Sequence, residues 1–118
     1  MKKLFTWIEI PVVNFERAVK FYTDILGIQF SIKDEGDEKK AQFPDGEGIL
    51  FYKEGFTPSA DGIVVNIDVG DQLDKTLKLI AENGGKITRD KTPVESSEDT
   101  YFALFIDSEG NRLGLNGR

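Results

Sequence analysis

The stretch "AQFPDGEG" occupies residues 41–48, and "ALFIDSEG" occupies residues 103–110. Five of the eight positions agree: Ala, Phe, Asp, Glu and Gly. In each case an apolar run meets a second one through residues that tight turns favour. "KAQF" (40–43), "PDGEG" and "ILFYK" (49–53) read as strand, turn and strand, and so do "YFALFI" (101–106), "DSEGN" and "RLGLN" (112–116). The same hairpin is therefore written twice, 62 residues apart.

The flanking segments repeat in the same order. "LFTWIEI" (4–10) is β-branched and aromatic and reads as a strand ended by Pro11. Asn14 is a helix cap, and apolar residues at Phe15, Ala18, Val19, Tyr22, Ile25 and Leu26 have helical spacing up to Gly27. "IQFSIK" (28–33) is the next strand. In the second half, "IVVNIDV" (63–69) is a strand, and Asp71 is placed to cap a helix with Leu73, Leu77, Ile80 and Ala81 on one face. Gly84 and Gly85 end that helix, and "KITRD" (86–90) follows as a strand. The helix starts lie 57 residues apart, and the longer "TPVESSEDT" loop absorbs the difference from the hairpin offset. The expected architecture is α+β: two βαβββ modules forming a curved, partly closed mixed sheet with the helices outside. One domain spans 1–118, with modules at 1–57 and 62–118 and a Gly/Pro/Ser-containing linker at 54–62.

The 118 residues suffice for a single core without disulfides or a structural metal. The absence of cysteine removes thiolate zinc sites and a cysteine nucleophile. The absence of histidine removes the commonest metal ligand and the usual general base near neutral pH. A net charge of -6 disfavours a nucleic-acid binder, which carries a basic face. The acidic runs "DEGDE" (34–38) and "ESSED" (95–99) read as solvated loops. No apolar run is long enough to span a membrane, and Thr6, Glu9 and Pro11 interrupt any signal-peptide core, so a cytoplasmic protein is expected. Ser59, Ser96 and Ser97 have no histidine with which to build a triad, and "PDGEG" precedes a strand and so is a turn rather than a phosphate loop.

Several segments together resemble the vicinal oxygen chelate superfamily, also called the glyoxalase/bleomycin-resistance/dioxygenase family. They are "EIPVVNFERAVKFYTDILG" (9–27), "NGGKI" (83–87), "KTPV" (91–94) and "IDSEGNRLGL" (106–115). "GFTPSADG" (55–62) looks like the connector of a subgroup whose members mostly lack an assigned reaction. The resemblance implies a cavity enclosed by the sheets, and it implies homodimers, some with sites across the dimer interface. Metal-dependent members hold a divalent ion on four His, Glu or Gln side chains, two from each module. Carried over residue by residue, those positions fall on Trp7, on Val64, on Gly114 and within Leu50–Tyr52. None carries a usable donor: indole N–H has no lone pair to give, and Val and Gly offer no side-chain oxygen or nitrogen. No metal and no other cofactor are therefore expected, and metal-dependent glyoxalase or dioxygenase chemistry lacks its electrophile.

Strand alternation then puts Phe5, Trp7 and Glu9 from the first module, and Val64, Asn66 and Asp68 from the second, toward the cavity. Tyr52 and Gly114 are their expected partners on the returning strands. An aromatic wall with a few polar groups suits a small organic ligand. Trp7 is either a packing residue or a stacking platform. Glu9 is either a general base, as in a glyoxalase-like lyase or isomerase, or a carboxylate paired structurally with Arg112 or Tyr52. Asn66 either binds a ligand amide or carboxyl or satisfies backbone groups, and Asp68 is also placed to cap the turn into the second helix. The expected function is metal-free binding of a small molecule, in the manner of family members that sequester an antibiotic. The lyase or isomerase is the alternative.

Overall fold

The computed structural model describes residues 4–95 and 97–118. Its elements follow the order β1 (Ile8–Pro11), α1 (Phe15–Leu26), β2 (Ser31–Asp34), β3 (Glu38–Gln42), β4 (Gly48–Lys53), then β5 (Asn66–Asp68), α2 (Leu73–Glu82), β6 (Lys86–Pro93), β7 (Tyr101–Ile106) and β8 (Arg112–Gly117). The strands form two four-stranded mixed sheets ordered β1-β4-β3-β2 and β5-β8-β7-β6. In each sheet the first strand runs parallel to the last, and the other pairs are antiparallel. The same βαβββ topology is thus built twice, and among the described residues no ladder joins the two sheets.

The first helix forms as its sequence dictates. The Asn14 side chain accepts from the Arg17 N–H at 3.1 Å, and Gly27 stops the helix at φ 65° while its N–H donates to the Thr23 carbonyl. Its buried face is Phe15, Ala18, Phe21, Tyr22 and Ile25. Each large side chain there contributes about 1.5–3 kcal/mol by leaving water. The face joins Leu50 and Ala41 of one sheet, Phe105, Leu113 and Leu115 of the other, and Leu73 and Ile80 of α2 in one core.

Four local expectations are corrected. Residues 4–7 do not extend β1, because the ladder starts at Ile8 opposite Gly48 and the residues before Gly48 are the "PDGE" turn, with no strand to offer. Gly48 is required there, since a Cβ would collide with the Ile8 carbonyl. β5 is shorter than 63–69 and pairs only from Asn66 to Asp68. Asp71 does not cap α2: the helix starts after Gln72 without a side-chain cap, and Asp68 makes the preceding turn by accepting from the Gly70 N–H at 2.9 Å. Ala81 is exposed, and Thr76 takes the buried place on that helix.

The modules are joined at the turn between β7 and β8. The Glu109 side chain is fully buried, and its Oε1 accepts from the backbone N–H groups of Val13 (2.9 Å) and Asn14 (2.7 Å), just ahead of α1. Arg17 Nε donates to Oε2 at 2.7 Å, and the Ser108 hydroxyl donates to the same oxygen at 2.8 Å. An anion here also meets the positive end of the helix dipole. Burial alone would raise the Glu109 carboxyl, but Arg17, the two backbone groups and Ser108 together hold it below the usual carboxylate range. Beside it, the Tyr22 hydroxyl donates to Asp107 Oδ2 at 2.6 Å, while burial and the Asp107 charge keep the phenol well above its ordinary pKa and so protonated. Asn111 Nδ2 donates to the Pro11 carbonyl at 2.7 Å and to Asp107 at 3.2 Å.

Two outcomes are expected in urea unfolding. Glu109→Gln should cost about 2 kcal/mol near neutral pH, since two backbone donors lose a charged acceptor. The Glu109 carboxyl is depressed in the folded state. Its stabilisation is therefore complete above the ordinary carboxylate value of about 4.3 and is lost as pH falls through the lower folded value. The difference between parent and variant should accordingly shrink on acidification; a constant gap would contradict this role. Tyr22→Phe should cost about 1 kcal/mol, limited because Asp107 keeps its bonds from Asn111 and from the backbone.

Candidate ligand-binding site

β1 has two faces. Ile8 and Ile10 point toward the helices, and Ile10 is in the core, so Glu9 points the other way. Glu9 is exposed, and Trp7 Nε1 donates to its Oε2 at 3.2 Å. Neither Arg112 nor Tyr52 pairs with Glu9. Arg112 Nη2 instead donates to the Gly62 carbonyl at 3.2 Å, and its buried Nε has no partner among the described residues. Trp7 is 44 % exposed, so it is not packed shut as a core residue would be.

The partners of Glu9 in the ladder are read from register. Glu9 lies opposite Ile49, and Pro11 opposite Phe51, so the strand face bearing Glu9 continues through Ile49 and Phe51. Tyr52 has the opposite parity. It is half-buried against the core, with the Lys39 ammonium 5.7 Å from its ring centre. The structure thus places Trp7 and Glu9 together and leaves Tyr52 on the other face of the same sheet. Phe5 is 79 % exposed in the segment leading into β1.

In the second sheet Asn66 lies opposite Gly114. A Cβ on Gly114 would run into Asn66 Oδ1, so the Asn66 amide fills the space a side chain at 114 would need. These two expected residues are together. Val64 is half-buried and precedes β5, and the carbonyl of its neighbour Val65 accepts from the Gly114 N–H at 2.9 Å. Asp68 is committed to its turn. Tyr101 is half-buried at the start of β7, with the Lys91 ammonium 4.5 Å from its ring centre. Ser59 Oγ accepts from the Asp61 N–H, and Ser97 Oγ is bonded to the Thr100 hydroxyl; Ser96 lies outside the described residues.

The residues present do not fit the divalent ion of the metal-dependent family members. Trp7 turns its only polar atom, a donor, to Glu9; Val64 has none; Gly114 has no room for a side chain; and the residue of 50–52 on the Glu9 face is Phe51. Among the described residues no three carboxylates converge as a ligand group.

One cleft was not anticipated. It measures about 720 Å³ and opens on the helix side of β1, floored by Ile8, Ile10, Phe43, Val65 and Ile67, with Thr76 of α2 also lining it. Asp45 and Glu47 of the first hairpin and Asp68 of β5 add acidic groups, and Asn66 also borders it. The signal that could have found it is the repeat itself, because the cleft lies between the first hairpin and the residues that open α2. No helix among the described residues is long and apolar enough to cross a membrane.

Comparison with known proteins agrees with the architecture. Residues 4–115 match the model of the Glyoxalase/Bleomycin resistance protein/Dioxygenase superfamily. A glyoxylase-like domain-containing protein of Didymella fabae is 33 % identical over 114 residues, spanning 88 % of this chain and 85 % of that one. A lactoylglutathione lyase of Haemophilus influenzae is 27 % identical over 126 residues, spanning 90 % and 93 %. A glyoxalase/bleomycin resistance protein from Albidiferax ferrireducens superposes with a TM-score of 0.73 at 18 % identity, covering 98 % of this chain and 100 % of that one. With its two βαβββ sheets, its shared core and a match over nearly its whole length, the chain belongs to the glyoxalase/bleomycin resistance/dioxygenase superfamily.

Proposed function

We propose that this chain is a metal-free binding protein for a small organic molecule, acting in the cytoplasm as a homodimer. A second copy covers the open strand faces around Trp7, Glu9, Asn66 and Gly114. The observation that carries this reading is the exposure of apolar side chains in the segments leading into β1 and β5: Leu4 at 87 %, Phe5 at 79 % and Ile63 at 93 %. An exposed apolar set of this kind marks a surface that is covered by something. Trp7 beside Glu9 supplies an aromatic plane next to a charge, and Asn66 supplies an amide, the mixture that fixes an organic ligand's orientation.

A second reading is a lyase or isomerase in which Glu9 moves a proton. It is favoured by the Glu9 carboxylate itself, which accepts one hydrogen bond, on Oε2, and so keeps Oε1 free among the described residues. The name of the Haemophilus influenzae relative points the same way.

Trp7 is the sole tryptophan, so its fluorescence reports on this face alone. Ligand screening should find compounds that change Trp7 emission and raise the melting temperature together. Sedimentation should give a dimer, and a Phe5→Ser, Ile63→Ser pair should shift it toward monomer. A monomer at all concentrations, or a screen in which no ligand changes Trp7 emission, would refute the reading. Glu9→Gln should leave the affinity for a neutral ligand nearly intact in a binder and abolish turnover in an enzyme. Zinc, nickel or manganese at tenfold excess should leave the melting temperature within about 1 °C of the metal-free value, because four ligand positions lack donors.

A further inference from the structure

The cleft beside α2 is the counterpart, in the repeat, of the Glu109 joint. It is lined by residues of 43–48 and 65–76, and the hairpin and helix offsets map these onto 105–110 and 8–19. Asp45 corresponds to Asp107, and Glu47 to Glu109. In the joint those carboxylates are consumed by Tyr22, by Arg17 and by the N–H groups of Val13 and Asn14. At the cleft the partners have changed. Asp74 stands in the place of Arg17, and Leu79 in the place of Tyr22. Gly70, in the place of Val13, gives its N–H to Asp68.

Asp45 and Glu47 are left exposed, and neither side chain makes a hydrogen bond or ion pair among the described residues. Among the described residues no lysine or arginine lines the cleft. Thr76, a residue only 4 % exposed, also lines it, and none of the side-chain hydrogen bonds among the described residues involves it. The volume of about 720 Å³ lies within the range of small-molecule pockets, roughly 300–1,000 Å³. An apolar floor, free carboxylates at the edge and a threonine on the wall describe a binding site of definite polarity.

We propose that this cleft binds an organic cation, a primary amine or guanidinium carried on an apolar body. The charged head pairs with Asp45 and Glu47, as the Arg17 guanidinium pairs with Glu109 in the twin joint. The body lies on Ile8, Ile10, Phe43 and Ile67, and the Thr76 hydroxyl takes one further hydrogen bond. This site stands on the helix side of β1, away from Trp7 and Glu9, and shares only the bordering Asn66 with the site proposed above.

The test uses the whole chain and three probes of one shape: 4-phenylbutylamine, 4-phenylbutan-1-ol and 4-phenylbutyrate. Binding is followed by amide chemical shifts and calorimetry at two salt concentrations. The amine should bind saturably and at least tenfold tighter than the alcohol, with no measurable binding of the carboxylate. Shifts should centre on Phe43, Glu47, Gln72 and Thr76, and Trp7 emission should not change. Affinity for the amine should fall with salt, because exposed carboxylates are screened. The exposed pair Asp45→Asn, Glu47→Gln should lose at least tenfold in affinity with an unchanged fold, and Thr76→Val about threefold. Equal binding of amine and alcohol, full affinity in the Asp45→Asn, Glu47→Gln variant, or shifts centred on Trp7 and Glu9 would overturn the assignment.

Discussion

A buried carboxylate at the start of a helix has to be satisfied completely, and Glu109 is the residue on which this architecture turns. Removing its side chain from water is costly, and the cost is met by four donors: two backbone N–H groups, a guanidinium and a hydroxyl. Those backbone groups lie just ahead of α1, so the same bonds that pay for Glu109 also fix where the first helix begins. Asp107 and Asn111 extend the arrangement to Tyr22 and to the end of β1. Since the sheets share no ladder, these side-chain bonds and the apolar core hold one module against the other.

Duplication supplies the parts for two such joints, and only one is closed. The hairpins have kept their carboxylates, whereas the helices have diverged, with Arg17 against Asp74 and Tyr22 against Leu79. Closing both joints would bury the carboxylates of both hairpins. Closing one leaves a cleft at the other, floored by Ile8, Ile10, Phe43, Val65 and Ile67. Structural support and ligand access are thereby divided between copies of one motif.

Much of this was legible in the residues, and the exceptions have physical causes. α1 could be read to the residue because its cap, its apolar spacing and its terminal glycine are all local. The paired hairpins were legible because turn chemistry is local as well. Leu4–Trp7 looked like strand because they are apolar and aromatic, but a strand needs a partner, and opposite them the chain is turning. Tyr52 was expected beside Glu9, yet strand parity changes face with every residue, and a resemblance that places a position only within three residues, Leu50 to Tyr52, cannot choose the side. The structure does set Trp7 against Glu9, and Asn66 against Gly114. The joint itself was missed because Glu109 and Asn14 are 95 residues apart, and nothing local announces that they meet.

That separation also governs how the molecule is made. During synthesis the first helix emerges with its leading N–H groups facing water, and the carboxylate that will accept from them is not yet translated. Module one can collapse early around Phe21 and Leu50, but its register against module two is set only once the β7–β8 turn has left the ribosome. A nascent chain therefore passes through a period in which Tyr22 and Arg17 lack their partners, and any factor that shields α1 has until residue 109 to do so.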